Sequence, residues 1–194
     1  MAEVGIIVLA AGQSSRMGRP KQLLPCQGRP LLRHAVERAL ASRCRPVVVV
    51  LGAWADAIEP VLAGLPVQVA RNPRWEEGVG TSIQAGLETL ASAGVDAAIL
   101  TLGDLPLVGG DFYDRLAEAQ ATSGAPVVTA EYAGTVGVPA LFHRTVFADL
   151  AALAPDRGCK GVILAHLAGA VRLPCPEAEA DVDSPADVER LAVR

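Results

Sequence analysis

Apolar positions along this chain follow two alternating rhythms. Val4-Gly-Ile-Ile-Val-Leu-Ala-Ala11, Pro46-Val-Val-Val-Val-Leu51 and Asp96-Ala-Ala-Ile-Leu-Thr-Leu102 are apolar almost throughout, as strands buried on both faces are. Pro66–Ala70 and Pro126–Thr129 are shorter runs of the same kind. Between them the apolar residues space out to helical intervals. Leu32, Val36 and Leu40 recur at i, i+4 and i+8 behind Pro30, with Leu31, Ala35 and Ala39 alongside. Trp54–Leu62 predicts a helix disturbed near Pro60, Ile83, Leu87 and Leu90 predict one ending near Gly94, and Phe112–Ala121 predicts another. Strands alternating with helices indicate a largely parallel sheet covered on both faces.

After Ala130 the alternation becomes irregular. Gly134–Phe142 predicts an antiparallel strand, followed by helices around Val146–Leu153 and Gly161–Leu167. Ser184-Pro185 then reads as N-cap and N1 of a last short helix, with Asp187 at N3. No repeat or low-complexity segment interrupts the chain. The expectation is a single α/β domain over residues 1–194, a three-layer αβα sandwich on a Rossmann-like, mostly parallel sheet.

Composition narrows the classes. A chain of 194 residues, 51% hydrophobic, is long enough to bury most of its apolar surface in one core. A net charge of −4 without a basic stripe argues against nucleic acid as the main partner. No run approaches the roughly 18 apolar residues of a membrane span, and Glu3 stands where a signal peptide needs positive charge. Cys26, Cys44, Cys159 and Cys175 show no CxxC or zinc spacing, so a reduced, cytoplasmic protein with free thiols is expected. A monomer is the default expectation. Of the 17 basic residues only Lys21 and Lys160 are lysine. A lysine in an arginine-dominated chain marks a place that uses a compact point charge.

Ligands of an open α/β sheet bind at the carboxyl ends of its strands. Two such ends carry chemistry here. Gly12–Lys21 is a small, polar loop with Arg16 and Lys21, able to turn backbone N–H groups toward an anion while cations close over it. Gly103-Asp-Leu-Pro106 puts a carboxylate at the end of a buried strand, where it can hold Mg²⁺ against phosphate oxygens or merely shape a turn. The loop beside it favours the metal. Neither GxxxxGK[ST] nor GxGxxG is present, so a P-loop ATPase and a dinucleotide-binding dehydrogenase are not expected. His34 and His166 lack metal spacing and read as helix residues; Trp54 and Trp75 read first as packing residues.

Leu9-Ala-Ala-Gly-Gln-Ser-Ser-Arg-Met-Gly-Arg-Pro-Lys21 resembles the signature of the MobA-like nucleotidyltransferases, and within them the molybdenum cofactor cytidylyltransferases. Asn72-Pro-Arg-Trp-Glu-Glu-Gly-Val-Gly-Thr-Ser82 resembles their second motif, and Gly103-Asp-Leu-Pro106 their metal-binding motif. Gly137-Val-Pro139, Arg157-Gly-Cys-Lys-Gly161 and Asp181-Val-Asp-Ser-Pro185 resemble three later ones in the same order. Val138 stands where histidine is common, so any role of that side chain is absent or moved.

The resemblance implies the fold of the nucleotide-diphospho-sugar transferases and transfer of a nucleoside monophosphate to a phosphate acceptor. It implies that Leu9, Ala10, Ala11 and Gly12 border the base and ribose, and that Arg16 and Lys21 are the catalytic, phosphate-binding cations. Gly80 and Ser82 are implied near the base, although Ser82 also reads as a plain first-turn helix residue. Asp104 and Asp183 are implied as Mg²⁺ ligands, with Asp181 competing for the second place. Arg157 and Lys160 either meet the acceptor phosphate or lie in a surface turn. Ala11 favours CTP as donor, and the implied acceptor is the molybdopterin-type cofactor, passed on to a target molybdoenzyme or its chaperone. Two alternatives stay open: a sugar- or polyol-phosphate nucleotidyltransferase, and a non-catalytic cofactor-binding chaperone.

Overall fold

The computed structural model describes residues 3–14, 18–179 and 187. Strand β1 (Val4–Ala10) is followed by a two-residue hairpin, β2 (Pro25–Cys26) and β3 (Arg29–Pro30), and by helix α1 (Leu31–Leu40). Then come β4 (Val47–Leu51), α2 (Ala55–Ile58), β5 (Gln68–Arg71) and α3 (Val79–Ala91). The second half holds β6 (Ala97–Leu102), α4 (Gly110–Ser123), β7 (Val127–Tyr132), β8 (Thr135–His143), α5 (Phe147–Ala151), α6 (Lys160–Ala165) and β9 (Val171–Pro174). The main sheet has the order β5-β4-β1-β6-β8-β7-β9. Among these strands β8 alone runs against the others, pairing antiparallel with both β6 and β7.

The continuous apolar runs follow from burial on both faces. Along β1, Ile6 and Val8 enter one core while Ile7 enters the other. The first core is closed by Leu32 and Val36 of α1 and by Phe112, Tyr113 and Leu116 of α4. The second is closed by Ile83 and Leu90 of α3, Leu150 of α5 and Ile163 of α6. Two apolar layers on one sheet make the expected αβα sandwich. Among the described residues no helix is long and apolar enough to cross a membrane.

The departures are local. The predicted helix at Trp54–Leu62 is α-helical only to Ile58 and continues as a 3₁₀ turn over Glu59–Leu62, because Pro60 has no N–H to give the α-helical ladder. The hairpin turn at Gln27 and Gly28, both with positive φ, and the edge strand β9 have no counterpart in the periodicity. The helix start predicted at Ser184-Pro185 lies outside the described residues, although Asp187 is helical.

This topology decides where ligands go. The chain runs from β1 outward through β4 to β5, then returns to place β6 on the other side of β1. Between β1 and β6 the strand order reverses, and their carboxyl ends are level, with Leu9 opposite Leu102. A crevice opens at such a switch point.

Candidate active site

The loop after β1 is held by its carbonyls. The Gln22 side chain, buried to 4% exposure, donates its amide to the carbonyls of Ala10 at 3.0 Å and Gly12 at 3.2 Å. The Ala11 carbonyl accepts the N–H of Ala53, just past β4, at 3.1 Å. Ser14 turns the chain at φ +54°, and its hydroxyl accepts the Lys21 N–H at 3.1 Å. Lys21 then begins a 3₁₀ turn over Lys21–Leu23, so its side chain leaves a fixed backbone.

From the adjacent strand end, Gly103 donates its N–H to the Leu9 carbonyl at 3.0 Å, continuing the ladder past β6. A β-carbon at Gly103 would meet Leu32 Cδ1 at 2.7 Å, so a residue without a side chain keeps α1 close. Asp104 follows. Its Oδ2 lies 2.5 Å from Lys21 Nζ, joining the two loops. Its Oδ1 is buried and has no hydrogen-bond partner among the described residues. A buried carboxylate oxygen left so costs about 1–3 kcal/mol, which a divalent cation would offset by accepting it as a ligand. Oxygen donors suit Mg²⁺ or Mn²⁺ rather than zinc. Among the described residues no group of three or more His, Cys, Asp or Glu gathers, so a metal here completes its shell with groups beyond Asp104.

The facing wall is built on Asn72. Its buried amide donates to Thr81 Oγ1 at 2.8 Å and Ser82 Oγ at 3.0 Å, while its Oδ1 accepts the Arg74 N–H at 2.9 Å. One residue beyond β5 thereby fixes the 3₁₀ turn Trp75–Glu77 and the start of α3. Gly78 has φ +128° and a β-carbon there would lie 2.4 Å from the Pro155 carbonyl, so this junction admits only glycine.

Between the walls lies a cleft of about 400 Å³. Leu9, Ala10, Ala11, Gly12, Lys21, Ser82 and Asp104 all line it. The structure sets Gly80 apart from this lining: its N–H donates to the Pro155 carbonyl at 2.8 Å, which spends it on packing α3 against the 154–158 loop. Arg16, Asp183 and Asp181 lie outside the described residues. Lys160 donates to Thr135 Oγ1 at 3.0 Å, and Arg157 is exposed, 3.9 Å from Asp156. Gln22, Trp75 and Glu76 also line the cleft, and Asn72 supports it from behind. Sequence reasoning placed Asn72, Trp75 and Glu76 within the second motif, read Trp75 first as a packing residue, and gave Gln22 no role. The only signal for Gln22 was a polar residue sitting between Lys21 and two leucines.

A doubly covered sheet with a lysine–carboxylate pair in a cleft at its switch point defines an α/β domain whose ligand site lies between β1 and β6. The chain belongs to the MobA-like NTP transferase family, whose domain profile matches residues 6–170. It is 37% identical over 137 residues to the bifunctional protein GlmU of Kineococcus radiotolerans, a match covering 68% of this chain and 28% of that protein. It is 43% identical over 81 residues to the nicotine blue oxidoreductase of Paenarthrobacter nicotinovorans, covering 41% of this chain and 40% of that one. The matched segments thus span less than half the length of these two relatives. Among solved structures, Rv0371c from Mycobacterium tuberculosis H37Rv superimposes with a TM-score of 0.87 at 28% identity, over 100% of this chain and 98% of that one. The same protein in complex with manganese gives 0.80 at 27% identity, over 97% of each chain.

Proposed function

We propose that this protein is a divalent-metal-dependent nucleotidyltransferase that moves a nucleoside monophosphate from an NTP, CTP by preference, to the terminal phosphate of a molybdopterin-type cofactor. The observation that carries the reading is the Lys21–Asp104 pair at 2.5 Å, with the second oxygen of Asp104 buried and unpartnered, beneath a loop whose carbonyls are tied back. An oxygen of the acceptor phosphate bonds to the α-phosphorus of the NTP. The α–β phosphoanhydride bond breaks, and its electron pair leaves with pyrophosphate. The nucleophile is already anionic, so alignment and charge do most of the catalysis.

In this reading Lys21 draws the α-phosphate and the incoming phosphate together against their mutual repulsion, and Arg16 neutralises the departing pyrophosphate. Asp104 and Asp183 would hold Mg²⁺, with Asp181 the competitor for the second place. A bound divalent cation supplies neutralisation of phosphate charge and polarises the α-phosphate. Ser82, its oxygen already taken by the Asn72 amide, keeps its hydroxyl hydrogen for an acceptor on base or ribose. Gly80 acts through the backbone by setting the start of α3. Ala11, which lines the cleft, favours CTP by its place in the Leu-Ala-Ala-Gly motif. The manganese complex of Rv0371c supports a divalent metal here. The protein acts as a monomer in the cytoplasm and hands its product to a target molybdoenzyme or its chaperone.

Incubation of the purified protein with each NTP, Mg²⁺ and either a molybdopterin or a panel of sugar and polyol phosphates decides between acceptors. Pyrophosphate release with CTP and the pterin is the expected result. Release with a sugar phosphate alone would replace the pterin reading with the sugar- or polyol-phosphate alternative.

A further inference from the structure

Both sides of the polyphosphate loop are pinned, and the second pin is a tryptophan. The indole Nε1 of Trp54 donates to the Gln13 carbonyl at 3.0 Å, across 41 residues of sequence. With Ala53 on the Ala11 carbonyl and Gln22 on those of Ala10 and Gly12, four successive carbonyls of the loop are engaged. Engaged carbonyls cannot turn their negative ends toward an anionic ligand, so the backbone presents its N–H groups instead.

The turn between β4 and α2 is shaped for this grip. A β-carbon at Gly52 would lie 2.5 Å from Trp75 Cβ and 2.9 Å from Ala11 Cβ, so glycine lets the turn sit against the loop. Trp54 itself adopts φ +61° and ψ +18°, a left-handed conformation that a large side chain rarely takes. It is also 45% exposed, so core packing does not account for it. Strain of this kind, held beside a cleft, points to a functional use of the side chain.

We propose that Trp54 is a positioning residue for the polyphosphate loop: its indole N–H holds the Gln13 carbonyl out of the cleft and so preserves affinity for the polyphosphate of the substrate. The proposal rests on the nucleotidyltransferase reading. It concerns binding of phosphate charge, not identity of base or acceptor. Inorganic tripolyphosphate is therefore the probe, measured by calorimetry with the full chain. Trp54→Phe keeps the ring and removes only the donor. Trp54→Gly removes the donor and also relieves the left-handed strain, and glycine is tolerated at a helix N-cap. Both variants are expected to bind tripolyphosphate about 3- to 10-fold more weakly, the range of one neutral hydrogen bond. KM for the NTP rises in parallel while kcat stays within about twofold, because Trp54 does not line the nucleotide cleft. Trp54→Gly is expected to melt no lower than Trp54→Phe. Wild-type affinity for tripolyphosphate in both variants overturns the role of Trp54 and leaves the enzyme reading intact. A wild-type protein that binds neither tripolyphosphate nor any NTP overturns both.

Discussion

The carboxylate of Asp104 divides its oxygens between unlike neighbours, a lysine at 2.5 Å and a buried space without a hydrogen-bond donor among the described residues. A cation bound there stabilises the native state by mass action, about 2.7 kcal/mol at a hundredfold excess over Kd. Mg²⁺ or Mn²⁺ is thus expected to raise the melting midpoint of the wild type and to leave that of Asp104→Asn unmoved. An equal shift in both would place the metal elsewhere. The same variant should lose at least about 100-fold in kcat, as removal of a group organising transition-state charge does. Gln22 carries the complementary load. Gln22→Glu exchanges the amide donor for an acceptor facing two carbonyls, losing two hydrogen bonds and adding repulsion at a buried position. A loss of about 2–4 kcal/mol in urea unfolding is expected; an unchanged midpoint would show that the loop does not depend on this staple.

At the scale of elements, α3 sets two effects against each other at Gly80. Helix propensity favours alanine over glycine by about 1 kcal/mol. Yet the new β-carbon would lie 2.4 Å from the Ala154 carbonyl and 3.0 Å from that of Arg157, both backbone atoms with little room to retreat. Overpacking of this kind costs about 1–3 kcal/mol, so Gly80→Ala should destabilise the protein and raise KM, because Ser82 moves with the helix start. A more stable variant would mean that the 154–158 loop yields. The same element shows what the sequence could and could not display. Ile83 and Leu90 announced α3 because burial imposes a period, and the apolar runs announced β1, β4 and β6 for the same reason. The antiparallel β8 was also legible, from Gly134 to Phe142. The β2–β3 hairpin was not, since two-residue strands are too short to establish a period. Strand β9 lies at a sheet edge with alternate residues exposed and Pro174 at its end, and an edge needs no apolar run. In the candidate site, Lys21 and Asp104 were legible because they lie in the loops that follow β1 and β6, each within a recognisable motif. Asn72 and Gln22 act through hydrogen bonds to groups 9 to 12 residues away, a relation that exists only once the chain has turned back.

The whole molecule depends on two apolar layers sharing one sheet, and three of its four thiols, Cys44, Cys175 and Cys159, report on them jointly. Cys26, Cys44, Cys159 and Cys175 are all unbridged and buried. Burial pushes the thiols of Cys44 and Cys175 up to about 11 and that of Cys159 up to about 12, and the Tyr113 hydroxyl up to about 12. Cys44, Cys175 and Tyr113 belong to one layer, Cys159 to the other. In the unfolded chain a thiol ionises near pH 8.5. The folded values lie above the unfolded ones, so these groups leave native stability intact below about pH 8.5 and erode it as pH rises toward 11–12. The urea midpoint is therefore expected to fall steadily between about pH 8.5 and 11, with conservative Cys→Ser replacement at Cys159 reducing that slope. Alkylation follows the same logic, since the thiolate is the reactive form and the native state suppresses it. At pH 8 Cys44, Cys159 and Cys175 should label together, at a rate that tracks the population unfolded by urea. Fast labelling of one of these without denaturant would show that its layer opens independently, and would refute the shared cooperativity that a single sheet between two cores implies.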